Sequence, residues 1–95
     1  MNPKIKICGI TTLDDAKLSL NLGADLLGFN FYKPSPRYID PKQATEIIKQ
    51  LPKNTQSVGV FVNMPTSELK ELLKVCPLDA VQLHGDETNE IGRAS

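Results

Sequence analysis

The sequence predicts an α/β protein made of parallel βα units, and three observations carry this prediction. Four short apolar or β-branched runs alternate with three segments of helical spacing, the order expected when parallel strands are joined by crossover helices. The runs start about every 22 to 31 residues, which suits one eighth of a (β/α)₈ TIM barrel of roughly 200 to 250 residues. No GxGxxG turn follows the first run, so a dinucleotide-binding fold is disfavoured. An open flavodoxin-like sheet would give the same order of elements.

The first strand is predicted over residues 5–8, with the first helix directly after it. Thr12 lies three residues before Asp15. A hydroxyl followed by acids is typical of a helix start, because they satisfy its free N–H groups and its positive end. Gly23 is a suitable C-terminal stop, and a second strand follows over residues 26–31. The predicted apolar stripe of this helix consists of Leu13, Ala16 and Leu20.

A proline-rich loop over residues 33–37 separates the second strand from the second helix, since proline disfavours helix interiors and central strands. Asp40 and Pro41 then predict a helix start, with an N-cap carboxylate before a proline at the first helical position. Pro52 closes this helix. Its predicted apolar stripe consists of Ala44, Ile47, Ile48 and Leu51.

The remaining elements repeat the same order. A third strand is predicted over residues 57–62, and Pro65 and Pro77 bound a third helix. A fourth strand is predicted over residues 80–83, and another helix starts after it, from Asp86 onward. The predicted apolar stripe of the third helix consists of Leu69, Leu72, Leu73 and Cys76.

Alternation along the strands sorts the side chains onto two faces. The first face is wholly apolar, and it is predicted to hold Ile5, Ile7, Leu27, Phe29, Phe31, Val58, Val60, Val62, Val81 and Leu83. The second face is mixed, and it is predicted to hold Lys6, Cys8, Gly28, Asn30, Gly59, Phe61, Asn63, Gln82 and His84. Crossover helices that all cover the first face leave the second as a barrel interior, polar towards its mouth. A half-buried sheet with these polar groups in water is the alternative.

Four of the polar residues on the second face end their predicted strands. They are Cys8, Asn30, Asn63 and His84. The carboxyl ends of the strands form the active-site end of a barrel. The pattern therefore favours a candidate active site at this edge.

Composition excludes several classes of protein. The 95 residues carry 11 basic and 11 acidic side chains, so no charged field attracts nucleic acid or anionic membrane. No apolar run approaches the roughly 20 residues that span a bilayer, and no signal peptide precedes the first strand. We therefore expect a cytoplasmic protein. Cys8 and Cys76 have no metal-ligand or CxxC spacing, so both are expected as free thiols.

Four stretches, each at the end of a strand, resemble the phosphoribosylanthranilate isomerase family. They are KICGIT (6–11), GAD through GFNF to SPRY (23–38), VGVFVN (58–63) and VQLHGDE (81–87). The resemblance covers nearly the whole chain. It implies that residues 1–87 form the N-terminal half of a (β/α)₈ barrel, truncated to about four strands and three helices. Residues 88–95 would then be the start of a fourth helix or a non-native tail.

The resemblance also implies a reaction, the Amadori rearrangement of N-(5′-phosphoribosyl)anthranilate to carboxyphenylamino-deoxyribulose phosphate in tryptophan biosynthesis. Cys8 matches the family's general base and Arg37 the residue that holds the anthranilate carboxylate. His84 matches a histidine at the pocket mouth, and Asn63 and Gln82 are expected to bind substrate nearby. A small buried cysteine, a solvated arginine and a structural histidine are the respective alternatives. No cofactor or metal is implied, because the substrate nitrogen serves as the electron sink.

Two parts of the family's site match nothing in this chain. The general acid, an aspartate, and the phosphate-binding loops both belong to later strands of the family's barrel. The chain alone is therefore expected to be inactive, and to bind its phosphorylated substrate only when completed by a C-terminal half. Open sheet edges predict self-association, and a non-catalytic self-associating half-barrel module is the alternative function. Another phosphate-binding barrel enzyme, such as indole-glycerol-phosphate synthase, is disfavoured by the KICG and Ser-Pro-Arg motifs.

Overall fold

The computed structural model describes residues 4–84, which form four strands alternating with three helices. The strands are β1 (Lys6–Cys8), β2 (Leu26–Asn30), β3 (Gln56–Val62) and β4 (Ala80–His84). The helices are α1 (Leu13–Asn21), α2 (Pro41–Lys49) and α3 (Thr66–Val75). Each element lies where the sequence predicts one, with ends shifted by one or two residues. The predicted segment 88–95, together with Asp86 and Glu87, lies outside the described residues.

All strand pairs are parallel, and the spatial order of the strands follows their order in the chain, β1-β2-β3-β4. A flavodoxin-like sheet would instead place the first strand inside the sheet, between later ones. The consecutive order is that of a (β/α)₈ barrel wall. The barrel prediction is therefore confirmed, and the alternative of an open flavodoxin-like sheet is wrong.

The three helices share one buried core on the convex face of the sheet. Ala16 of α1, Ala44 of α2 and Leu69 of α3 belong to the same apolar cluster as the β2 side chains Leu27 and Phe29. One face of the sheet is therefore covered by the helices, as the sequence predicts. We call the other face the concave face.

Side-chain capping accounts for the starts of α1 and α2. Thr12 is the N-cap of α1, and its hydroxyl accepts a hydrogen bond of 3.0 Å from the backbone N–H of Asp15. Asp40 caps α2 by accepting a hydrogen bond of 2.8 Å from the N–H of Lys42, with Pro41 in the first turn. Gly23 follows the end of α1 with a φ of +98°, a conformation that glycine adopts without strain.

The predicted faces of β3 are wrong. Val58 pairs with Gly28 and Ala80, and Val60 pairs with Asn30 and Gln82, so these valines lie on the concave face. The helix-covered face instead receives three residues of β3, namely Ser57, Gly59 and Phe61. After Gln56 and Ser57, both faces of β3 carry only apolar residues and glycine. Polarity therefore does not fix its phase, and pairing with the neighbouring strands decides it.

Two features of the helix-covered face refine the predicted core. Phe61 stacks on Phe31 with ring centroids 5.2 Å apart, so the two rings close the core near the carboxyl ends of β2 and β3. Leu73, predicted on the apolar stripe of α3, is 37% exposed and does not belong to the core. Leu69 and Cys76 of the same stripe are buried.

Asp25 and Asp79 tie strands together at the amino-terminal edge of the sheet. Asp25 Oδ2 accepts a hydrogen bond of 3.0 Å from the N–H of Ile5. Asp79 Oδ2 accepts hydrogen bonds from the N–H and hydroxyl of Ser57, at 2.8 and 3.2 Å. These carboxylates therefore stabilise the sheet at the edge opposite the candidate site.

Within residues 4–84, none of the helices has the length and apolar character needed to cross a membrane.

Candidate functional site

The carboxyl ends of the four strands bring the predicted site residues to one edge. Cys8, Asn30 and His84 are the last residues of β1, β2 and β4, and Asn63 follows β3 directly. The register row that begins at Cys8 runs across the sheet to Ala80 in β4. His84 lies four residues beyond Ala80, so alternation places it on the same face as Cys8.

Gly28 provides the space that Cys8 occupies. A Cβ atom at Gly28 would lie 2.8 Å from Sγ of Cys8 and 3.1 Å from its Cα. Any larger residue at this paired position would push the thiol away. Cys8 is exposed and is not part of the apolar core. The alternative of a small buried hydrophobe therefore does not describe Cys8.

Arg37 reaches the same place from the proline-rich loop. Gly9 has a φ of +86°, and a Cβ atom there would lie 3.0 Å from Nη1 of Arg37. The arginine side chain therefore lies across Gly9, the residue that follows Cys8. Both residues line a cleft of about 180 Å³. The structure thus brings together Cys8 and Arg37, which are 29 positions apart in the sequence.

Asn30 and Ser35 hold the loop that carries Arg37. The Asn30 side chain accepts a hydrogen bond of 2.8 Å from the N–H of Tyr32 and donates one of 3.4 Å to the Ser35 hydroxyl. That hydroxyl also accepts a hydrogen bond of 3.1 Å from the N–H of Arg37. Sequence analysis noted Asn30 as a strand end but missed this role. The signal was available, because Asn and Ser side chains at loop starts commonly bond backbone N–H groups two residues on.

A second group of polar side chains crosses the concave face. Lys6 on β1 donates a hydrogen bond to Oε1 of Gln82 on β4. Nε2 of Gln82 lies 3.0 Å from Nε2 of His84. Lys6 and Gln82 are half-buried, whereas His84 is exposed at the rim. Two of the predicted substrate-binding residues, Gln82 and His84, are thus in direct contact.

Asn63 lies apart from the cleft of Cys8 and Arg37. It adopts a φ of +51°, an uncommon conformation outside glycine that asparagine tolerates. Its side chain lines a separate cleft of about 240 Å³, together with Tyr32, Lys33 and Pro65. Its backbone N–H donates a hydrogen bond of 3.0 Å to the carbonyl of His84. Asn63 is therefore joined to the site through the backbone of His84.

Cys76 has a structural environment. It is fully buried behind α3, and burial raises the pKa of its thiol above the usual 9.0, with a hydrogen bond to Thr45 acting in the opposite direction. A neutral buried thiol is a poor nucleophile and a poor base. The two cysteines therefore differ in the way that the sequence predicts. In the described part of the chain, no group of three His, Cys, Asp or Glu side chains could hold a metal ion.

The chain is similar to known proteins in sequence and in fold. The family model for N-(5′-phosphoribosyl)anthranilate isomerase matches residues 5–94. The chain belongs to the phosphoribosylanthranilate isomerase family. The N-(5′-phosphoribosyl)anthranilate isomerase of Geobacter metallireducens is 52% identical over 87 residues, which is 92% of this chain and 43% of the relative.

Solved structures of the phosphoribosylanthranilate isomerase family share the fold. The Thermotoga maritima enzyme matches with a TM-score of 0.90 and 45% identity, over 98% of this chain and 45% of that one. A structure of the isomerase in complex with reduced 1-(o-carboxyphenylamino)-1-deoxyribulose 5-phosphate matches with the same TM-score and identity, over 98% of this chain and 48% of that one. The chain thus spans less than half the length of these relatives.

Proposed function

We propose that residues 1–87 form the N-terminal half of a phosphoribosylanthranilate isomerase. The reaction is the Amadori rearrangement of N-(5′-phosphoribosyl)anthranilate to carboxyphenylamino-deoxyribulose phosphate, a step of tryptophan biosynthesis. The observation that carries the proposal is that an exposed thiol, Cys8, and a guanidinium, Arg37, line one cleft between the carboxyl end of β1 and α1. Family membership supports the same assignment.

Each of the two residues supplies one part of the chemistry. Cys8 acts as the general base that removes the proton from C2′ of the Schiff base formed when the ribose ring opens. Arg37 holds the anthranilate carboxylate, because a guanidinium can grip a carboxylate with two parallel hydrogen bonds. The substrate nitrogen takes up the electrons, so the reaction needs no cofactor.

His84, Gln82 and Asn63 complete the substrate-binding side of this half. The side-chain contact of Gln82 with His84 supports a common role at the rim of the concave face, and Asn63 is joined to His84 through the backbone. The ligand in the matched complex carries a phosphate and a carboxyphenyl group, which supports a small phosphorylated substrate here. We also propose a cytoplasmic location, where both thiols remain reduced.

The general acid and the phosphate-binding loops come from the C-terminal half of the barrel. These 95 residues alone therefore give no useful turnover, since a general acid is typically worth 10²- to 10⁴-fold in rate. Adding a C-terminal half supplies both missing parts. The reconstituted barrel is the active species in this proposal.

Reconstitution tests the proposal. The 95-residue chain is mixed with the part of the Geobacter metallireducens isomerase that follows its matched region, and isomerisation is followed by product fluorescence. The mixture should be active and each half inactive.

Cys8→Ala should reduce kcat by roughly 10²- to 10⁴-fold, the usual value of a general base. The matched control Cys76→Ala should retain kcat, because that thiol lies in the core. A Cys8→Ala mixture as active as the parent would rule out the proposal.

A second candidate function is a self-associating half-barrel module without catalysis. Within residues 4–84, β1 pairs only with β2 and β4 pairs only with β3, so two strand edges are open. Open edges favour pairing with another chain. A chain that self-associates but gives no activity in the reconstitution would support this candidate over the first.

A further inference from the structure

The side chains of Lys6, Gln82 and His84 form a continuous chain of hydrogen bonds over the concave face. Lys6 donates to Gln82 although β1 and β4 stand at opposite edges of the four-stranded sheet. The Gln82 amide then meets the His84 ring two residues further along β4, at 3.0 Å. The chain of bonds therefore links one edge strand to the rim of the other.

The donors and acceptors in this chain allow one arrangement. A lysine ammonium carries only donors, so the Gln82 atom that meets Lys6 must be the amide oxygen. The other end of the amide is then the NH₂ group, which can only donate. Nε2 of His84 must therefore be the acceptor, and the proton of the neutral ring lies on Nδ1.

Partial burial strengthens the hydrogen bond that fixes the orientation of the Gln82 amide. Lys6 and Gln82 are half-buried, so water competes less for their hydrogen bond than it would at the surface. His84 is exposed at the end of β4, and its side chain makes no other hydrogen bond within residues 4–84. The Nδ1–H group is thus a donor that a bound molecule can use.

We propose that Lys6 and Gln82 are positioning residues that hold His84 in the neutral Nδ1–H tautomer, and that this group donates a hydrogen bond to an acceptor oxygen of the substrate. The assignment of the tautomer stands on the contacts of the three side chains alone. The assignment of its hydrogen-bond partner rests on the proposed function.

Nuclear magnetic resonance tests the tautomer directly, because His84 is the only histidine in the sequence. The 95-residue chain is labelled with ¹⁵N and mixed with an unlabelled C-terminal half, and the ring nitrogens are read from two-bond ¹H–¹⁵N correlations. At pH 8 an ordinary imidazole is mostly neutral. Free imidazole side chains in water favour Nε2–H, whereas His84 should be mainly Nδ1–H. A folded chain with mainly Nε2–H would overturn the proposal.

The Gln82→Glu variant tests whether residue 82 determines the tautomer of His84. A carboxylate only accepts hydrogen bonds, so it should still bind Lys6 but should reverse His84 to the Nε2–H tautomer. Lys6→Met removes the donor that orients the amide, and it should give a mixture of tautomers. The matched control is Lys53→Met, an exposed loop lysine that should leave the ring unchanged. Dispersion of the backbone amide signals verifies that each variant is folded. A folded Gln82→Glu variant that keeps Nδ1–H would contradict the proposal.

Kinetics of the reconstituted enzyme separate the two parts of the proposal. Gln82→Glu should raise KM about tenfold, the usual effect of losing one hydrogen bond, with a smaller change in kcat. A reversed tautomer without any change in KM would overturn the hydrogen bond to substrate. Full activity of Cys8→Ala would instead overturn the proposed function, and the tautomer measurement would be unaffected.

Discussion

At the scale of single residues, two glycines decide where the reactive groups lie. Gly28 leaves room for the thiol of Cys8, and Gly9 lets the Arg37 side chain lie across the backbone beside it. Both act by the absence of a Cβ atom, which leaves room for the side chains of Cys8 and Arg37, the proposed base and carboxylate-binding group.

Gly28→Ala is predicted to damage catalysis more than stability. The new Cβ would lie 2.8 Å from Sγ of Cys8, so the thiol must move, and misplacement of a reacting group by about 1 Å can cost roughly 10²-fold in rate. The kcat of the reconstituted enzyme measures this loss. Gly59→Ala is the contrasting variant, because its Cβ would meet Leu78 and Phe61 in the core. It should lower the unfolding midpoint while kcat of the folded protein is retained. Equal kcat values for the two variants would contradict the role of Gly28.

The sequence predicts candidate chemical groups, Cys8 and Arg37, but not the residues that position them. Cys8 and Arg37 stand in short motifs, so their residue types are visible in the sequence. The contact of Gly28 with Cys8 depends on the register between β1 and β2, and the contact of Arg37 with Gly9 depends on the path of the loop. Such contacts join residues distant in sequence, and no local pattern encodes them.

At the scale of elements, the helices were the most predictable part of the fold. Thr12, Asp40 and Gly23 act through bonds and backbone angles within a few residues, so their effect can be deduced locally. The faces of β3 could not be deduced in the same way. Valines at alternate positions suggested a buried helix-facing side, yet they face the concave side, because pairing with β2 and β4 sets the phase.

Removal of the α2 cap is predicted to have a measurable cost. Asp40→Ala loses the hydrogen bond to the N–H of Lys42, and loss of an N-cap typically costs about 1 kcal/mol of the free energy of unfolding. Urea denaturation followed by circular dichroism measures this change. Asp14→Ala in the first turn of α1 is the control, and it should cost less because it loses only a helix-dipole interaction of about 0.3–1 kcal/mol. A larger loss for Asp14→Ala than for Asp40→Ala would contradict the capping account.

At the scale of the whole molecule, the four strands form a wall with one covered face and, within residues 4–84, two open edges. The helices bury the convex side in a single core. The concave side carries Lys6, Cys8, Gln82 and His84, a polar set that a helix could not cover without cost. One apolar, helix-covered face and one polar face are what a barrel wall requires. The alternation of polar and apolar residues in β1, β2 and β4 already indicated this difference between the two faces.

The 95-residue chain alone is predicted to self-associate. In the described part of the chain, the edges of β1 and β4 offer unpaired backbone groups to another chain, and a stable dimer needs roughly 1,200–2,000 Å² of buried surface. Sedimentation at micromolar concentration should therefore show dimers or larger species. Addition of a C-terminal half should replace them with a one-to-one complex. A well-folded monomer in the absence of that half would contradict the prediction.

The most direct test of the central claim is a crystal structure of the reconstituted barrel with reduced 1-(o-carboxyphenylamino)-1-deoxyribulose 5-phosphate, the ligand of a matched family structure. We propose that Cys8 at the end of β1 supplies the base and that Arg37 on the proline-rich loop supplies the carboxylate clamp. The account predicts Sγ of Cys8 about 3–3.5 Å from C2′ of the ligand, with Arg37 holding the carboxylate through two hydrogen bonds. A ligand bound away from the concave face, with Cys8 and Arg37 out of contact, would contradict it.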